Sequence, residues 1–239
     1  LTKTALLSYT VLLNPALTAT LSIEDSAARQ TAIDNDPFGD YGTQELPDIV
    51  GQLLYATPAM ELQLSGAMHQ INPITDAYDS RFGYAVQAGF SYRFGIPMSG
   101  PALMDPSLLD YQMPRLVLST AYASGAASYL GFNNDVADAV AFEGDYGLST
   151  GWNVMAAYRQ PWSRKWRSSI SGSYAELDFA EDSTFADLRE FQVGANLVFS
   201  PVEGLDIGGE FVFIKQNVPY EDSDVDHRMV GRLRVERRF

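Results

Sequence analysis

An all-β, antiparallel, membrane-spanning barrel is the fold class predicted by three observations on this 239-residue chain. Every stretch with a readable period alternates apolar and polar residues, which puts one kind on each face of a strand. No uninterrupted apolar run approaches the ~20 residues a spanning helix needs, yet 46% hydrophobic and 19% charged residues make the chain too apolar for disorder. Short turns and long polar loops alternate along the chain, as they do when all turns lie on one side of a membrane and all loops on the other.

The last segment states the design most plainly. Met229, Gly231, Leu233, Val235 and Phe239 share one parity, while Arg232, Arg234, Glu236 and Arg238 share the other. In a soluble sandwich the apolar row would face a core; in a barrel it meets lipid and the charged row lines a lumen. Arg237 lies on the apolar row near the end, where a long cation can snorkel to head groups. An amphipathic strand closed by an aromatic resembles the C-terminal signal of bacterial outer-membrane β-barrels.

Taken in order, the other segments repeat this pattern. Lys3 and the apolar run to Leu13 could be read as a signal peptide, but Ala5, Leu7, Tyr9, Val11 and Leu13 alternate with Thr4, Leu6, Ser8, Thr10 and Leu12. After Asn14-Pro15 the alternation resumes through Leu17, Ala19, Leu21 and Ile23, so the expectation is a hairpin. Strands then follow over 48–55 and 60–69. Phe82, Tyr84, Val86, Ala88, Phe90, Tyr92 and Phe94 form an unbroken apolar row, with aromatics at both ends suited to two membrane interfaces. Further strands are expected over 115–122, 152–159, 166–174, 191–199 and 205–214. Phe94, Trp162, Trp166, Phe199 and Phe239 fall at the short-turn ends, where an interfacial girdle would lie.

Composition excludes several functions. A net charge of −14 would repel nucleic acid, and the absence of cysteine removes disulfides and thiol chemistry. With only His69 and His227 a catalytic base is scarce, and no serine stands at a motif-like spacing from either, so no enzyme is expected. The acidic stretches 34–40 and 221–226 lack the spacing of a calcium loop and read as solvated loops; no metal or cofactor is expected. What the residues can carry is electrostatics. Arg93, Arg115, Arg159, Arg167, Glu210, Arg232, Arg234 and Arg238 share the polar parity and are the expected pore-lining residues, with acids crowding the long loops.

The run from Gly151 to Tyr174, the run from Val193 to Gly208 and the end from Gly231 to Phe239 look like the C-terminal half of the general porins of alphaproteobacteria. Leu17–Asp25 and Pro47–Val50 are similar to that family's middle region. The resemblance implies a trimeric, water-filled channel in the bacterial outer membrane, among lipids and lipopolysaccharide, that passes small hydrophilic solutes. It departs from the family after Phe94, where a long insert runs to Pro114 in place of a short turn.

About eleven strands are readable, an odd number for a barrel with both ends on one side of the membrane. Counted back from Phe239 in a sixteen-stranded porin, Leu1 begins the sixth strand. The expectation is then a single barrel domain over 1–239 without the first five strands and the constriction loop. The alternative adds Asp138–Tyr146 as a further wall strand and closes a smaller barrel of about twelve.

Overall fold

The computed structural model describes residues 4–35, 41–43, 45–74, 79–95, 113–132, 136–142, 145–180, 183–184, 187–217 and 226–237. Its strands are β1 (Leu6–Asn14), β2 (Leu17–Glu24), β3 (Ala32–Asp34), β4 (Asp48–Ala56), β5 (Met60–Ile71), β6 (Arg81–Arg93) and β7 (Arg115–Ser124). They continue as β8 (Ala137–Phe142), β9 (Asp145–Leu148), β10 (Thr150–Pro161), β11 (Trp166–Asp178), β12 (Leu188–Val202), β13 (Leu205–Asn217) and β14 (Asp226–Arg237). Eleven of these form one antiparallel sheet in the order β1-β2-β4-β5-β6-β7-β10-β11-β12-β13-β14, the wall of an all-β barrel fold. No helix among the described residues is long and apolar enough to cross a membrane. The crossings fall to strands, whose ladders satisfy the backbone where no water can.

Register carries one face across the whole wall. Leu17, Tyr55, Leu62, Phe90, Leu118, Ala156, Gly172, Val193, Phe213 and Met229 stand opposite one another, strand after strand. Many large apolar residues of this parity, among them Leu21, Leu64, Ile170, Phe211 and Val235, are exposed. A contiguous apolar surface of that size marks a face that meets lipid. Its height fits as well. Tyr84 pairs with Tyr122 near the loops and Phe94 packs on Tyr92 at the turns. Ten residues at about 3.3 Å each, tilted about 40°, span roughly the 25 Å of an apolar band.

The opposite face is the inner one, because loops fold onto it. Strands β3, β8 and β9 form a separate small sheet, with β3 parallel to β8. Beside it a 3₁₀ turn over Ala127–Leu130 settles on Ala85, Ala121, Ala123 and Leu177 of the wall. Ala67, Ala85, Ala123 and Gly151 lie on one register row, so the wall carries small residues beside the docked 3₁₀ turn, with Leu177 next on the row buried against it. Asp138–Tyr146 therefore does not add a strand to the wall, correcting the twelve-strand alternative: its residues Ala139 and Ala141 are buried against Ile33, Ile71 and Tyr146. Alternation alone could not assign the segment, since a short strand buried on both faces has no period-two signature.

The chain turns inward at Gly125. Its φ of +62° is a left-handed conformation, and a Cβ on the facing Gly83 would collide with the Gly125 carbonyl. At the other end of β6 the long insert leaves and returns through a closed base: Phe94 N–H donates to the Pro114 carbonyl (3.0 Å) and Arg93 pairs with Arg115. Residues 96–112 of that insert lie outside the described residues.

Single-cysteine variants of this cysteine-free chain test the register. Lipid-phase quenchers should reach a label at Ala156 or Ile170 and not one at Ala157 or Ser171; the reverse pattern would mean a one-residue slip. Gly125→Ala should cost about 1–2 kcal/mol for its positive φ, with further crowding against Ile71 and Leu148. Amide exchange should quicken in β3, β8 and β9 while the wall keeps its protection, and a uniform change would remove Gly125 from the hinge.

Candidate functional site

The inner face gathers its charges at the turn end. Arg93, Arg115, Arg159, Ser169, Asn196, Glu210 and Arg232 occupy one register row across six adjacent pairings. Arg167 and Arg234 lie on the next row towards the turns, joined through Val198 and Gly208. The sequence-expected polar residues within the described chain thus form a belt, and several face an open groove of about 600 Å³ lined by Arg167, Asn196, Asp206, Glu210, Arg232 and Arg234. Arg238 and Phe239 lie outside the described residues.

Like charges directly opposite on a sheet repel, and the belt answers this with carboxylates. Glu61 accepts from Arg93 Nη2 at 2.8 Å and from Arg115 Nη2 at 3.1 Å, bridging two arginines on neighbouring strands. Arg115 Nε also donates to Ser91 Oγ at 2.7 Å. Arg167 Nη2 donates to Asp206 Oδ2 (2.7 Å) and its Nη1 to Ser200 Oγ (2.8 Å). Arg232 meets Glu210 at 3.2 Å and Arg234 meets Glu236 at 2.5 Å. Glu236 stood on the charged row read from the sequence, whereas Glu61 and Asp206 were not singled out, although they share the parity of the arginines and that signal was available.

The aromatics gather on the outer face at the turn ends of the strands. Trp166 stacks on Phe199 with centroids 4.6 Å apart, Phe94 meets Tyr158 edge-on at 6.2 Å, and Trp162 Nε1 donates to Ser168 Oγ at 2.9 Å. An aromatic body with a polar tip suits a membrane interface.

Alternation did not reveal the second cluster, at the loop end. His69 on β5 and Asp48 on β4 are 1% and 0% exposed, and His69 Nδ1 lies 2.8 Å from Asp48 Oδ1. His69 Nε2 faces Asp138 Oδ2 of β8 at 3.9 Å, and Asp138 is also fully buried. Tyr41 Oη (2.6 Å), Ala127 N–H (2.6 Å) and Thr31 N–H (3.3 Å) donate to the Asp138 carboxylate, and Tyr129 Oη donates to Asp48 Oδ2 at 2.7 Å. Burial and then the Asp138 charge push the Tyr41 hydroxyl well above its usual range, which keeps it a donor. This network joins the wall to the inner sheet. Its partners are 69 residues apart in sequence between His69 and Asp138, so no local pattern could disclose it.

Arg81 adds an exposed strap, pairing with Asp145 and donating through Nη1 to the Tyr146 carbonyl at 2.6 Å. Asp34 corrects the reading of its stretch as solvated loop: it is 8% exposed and accepts from Ser183 Oγ (2.8 Å), Thr184 Oγ1 (2.6 Å) and Thr184 N–H (2.7 Å). Burial raises its carboxyl, but these hydrogen bonds and one from Asn35 N–H outweigh that and hold it below the usual carboxylate range. Asp36 and Asp40 of the same stretch lie outside the described residues.

No curated protein matches the chain in sequence. Among solved structures it is similar to the outer membrane channel DcaP of Acinetobacter baumannii, with a TM-score of 0.70 and 14% identity, over 98% of this chain and 62% of that one. It is also similar to an anion-selective porin from Comamonas acidovorans, with a TM-score of 0.54 and 15% identity, over 95% of this chain and 54% of that one. At such identities the likeness is one of fold, and the chain spans less than two thirds of either protein. A family model described as the porin subfamily matches residues 1–230, and the chain, with its amphipathic wall and charged inner belt, belongs to that subfamily.

Proposed function

We propose that this chain builds the wall of a water-filled channel in the bacterial outer membrane, through which small hydrophilic solutes and ions diffuse passively. The observation that carries the reading is the pairing of two continuous faces on one sheet, an apolar outer face and a charged inner belt. A soluble protein would have no use for the first, and a solid plug none for the second. The runs around Gly151–Tyr174 and Val193–Gly208 support a general porin of alphaproteobacterial type, assembled as a homotrimer among outer-membrane lipids and lipopolysaccharide. Phe94, Trp162, Trp166 and Phe199 form the girdle on the turn side, and the belt arginines line the pore. A catalytic role is disfavoured by burial. The His69–Asp48 pair has the look of a charge-relay couple, but at 1% and 0% exposure it is out of reach of a substrate, and Asp138 occupies the position a nucleophile would need.

At the turn end the belt sets Arg93, Arg115, Arg159, Arg167, Arg232 and Arg234 against Glu61, Asp206, Glu210 and Glu236. Replacing an arginine by an acid therefore shifts preference towards cations. Arg234, whose side chain is 78% exposed, should be the most sensitive probe, whereas Arg167 at 17% is held by Asp206. In planar bilayers Arg234→Glu should move the reversal potential towards cation preference at 0.1 M salt and hardly at 1 M, as the screening length falls from about 10 Å to about 3 Å. No shift at low salt would take Arg234 out of the lumen.

The inner sheet narrows the channel from the loop side and is held there by packing on Ile71, by Arg81 and by the polar cluster around His69. His69→Ala removes the buried hydrogen bond to Asp48 and the imidazole that faces Asp138, at a cost of about 1–3 kcal/mol. The expected result is a larger size limit for sugars in liposome swelling, with the protein still inserted. An inserted variant with an unchanged limit would place the inner sheet outside the permeation path.

A further inference from the structure

Between the belt and the docked loops the inner face holds a cavity of about 220 Å³, lined among others by Glu24, Arg29, Gln52, Gln63, Gln87 and Tyr129. At about 30 Å³ per water it has room for about seven waters, or one small solute. Its charged groups differ from those of the belt. Arg93, Arg115, Arg167, Arg232 and Arg234 are each engaged by a carboxylate. Among the described residues Arg29 forms no ion pair, and its buried Nε has no hydrogen-bond partner. Leaving a buried donor of a charged group unmet is costly, so such a group is kept where something else meets it.

Arg29 is nonetheless held in place. Its guanidinium carbon lies 4.7 Å above the centre of the Tyr129 ring, a cation–π stack on the wall of the cavity that Arg29 lines. Tyr129 is anchored in turn by its hydroxyl, which donates to the fully buried Asp48. Burial, and then this bond, push that hydroxyl far above its usual range, so it stays a donor. Glu24, on the same cavity, accepts from Ser22 Oγ at 2.9 Å and forms no ion pair with Arg29. Gln52, Gln63 and Gln87 supply neutral amides, which can donate and accept.

A cation and a carboxylate that share a cavity without touching define a ligand. A simple anion would meet Arg29 but be repelled by Glu24, and a simple cation the reverse. We propose that this cavity is a docking subsite for small zwitterionic amino acids, with the carboxylate on Arg29 and the ammonium on Glu24. The inference rests on the channel reading, since the cavity opens on the inner face. It deepens that reading by naming a solute class that is retained briefly rather than merely passed. Binding must be weak enough to release, which one charge-assisted contact at each end of a wet site provides.

The test uses single channels of the intact protein in planar bilayers, with glutamine, glycine, acetate and methylammonium as probes. Block is scored as a fraction of each variant's own open current, so a change in conductance does not enter. Glutamine and glycine should block saturably and reversibly, and acetate and methylammonium at the same concentrations should not. Arg29→Gln should raise the half-blocking concentration by about tenfold or more, the effect of one charge-assisted hydrogen bond, and Arg29→Lys should recover part of it. Glu24→Gln should erase the preference of glutamine over acetate, giving a second reading should Arg29→Gln fail to insert. Channels that open normally but are blocked equally in wild type and Arg29→Gln, or blocked as well by acetate as by glutamine, would overturn the subsite and leave the channel standing. Absence of any conductance would instead overturn the channel.

Discussion

Backbone hydrogen bonding in hydrocarbon is the constraint from which the rest follows. An unmet amide there costs several kcal/mol, so a chain that crosses with strands has to pair each of them along the membrane thickness. The ladders from β2 to β14 do so with few shifts, such as the one between Phe199 and Val202 at a turn. Because side chains alternate with a period of two, unbroken pairing also fixes the face of every residue. The apolar row through Leu62, Phe90 and Leu118 and the charged row through Arg93, Arg115 and Arg159 are two consequences of one register.

That register makes the belt possible and also makes it costly. Arginines aligned on adjacent strands would repel across the sheet, and the interleaved acids answer this locally, most clearly where Glu61 bridges Arg93 and Arg115. Each exposed pair contributes at most about 1 kcal/mol, so the pairs do little for stability. Their effect is geometric. A guanidinium tied to a carboxylate on the same or a nearby strand stays close to the wall and leaves the lumen open. The Arg167–Asp206–Ser200 group shows this best, with Ser200 Oγ donating to Asp206 Oδ1 at 2.5 Å while accepting from the guanidinium.

The inner sheet obeys a different rule. It cannot use period two, because β8 is buried along nearly its whole length, and it packs on the wall through Ile71. The chain turns towards it at the left-handed Gly125, and alanines with Gly151 on one wall row make room for the neighbouring 3₁₀ turn. Polar anchoring replaces part of the missing apolar contact. Asp138 gathers three donors from separate loop segments and faces a histidine on the wall, an arrangement that specifies one docking position and costs heavily if a partner is removed.

The sequence by itself determined the wall: eleven strands, their faces, the turn-side aromatics and the arginine parity are all local alternation, and alternation is what a one-sided strand writes into a chain. It also contained Glu61 and Asp206 as belt members, since they share that parity. Only the tertiary structure decided that Arg93, Arg115, Arg159 and Arg232 fall on one register row, because the row depends on the relative register of strands whose loops differ in length. It alone turned Asp138–Tyr146 inward, buried Asp34, and brought His69 to Asp138 and Arg29 to Tyr129. Those contacts join segments distant in sequence, and burial on all sides erases the periodic signal by which a strand's surroundings can be read.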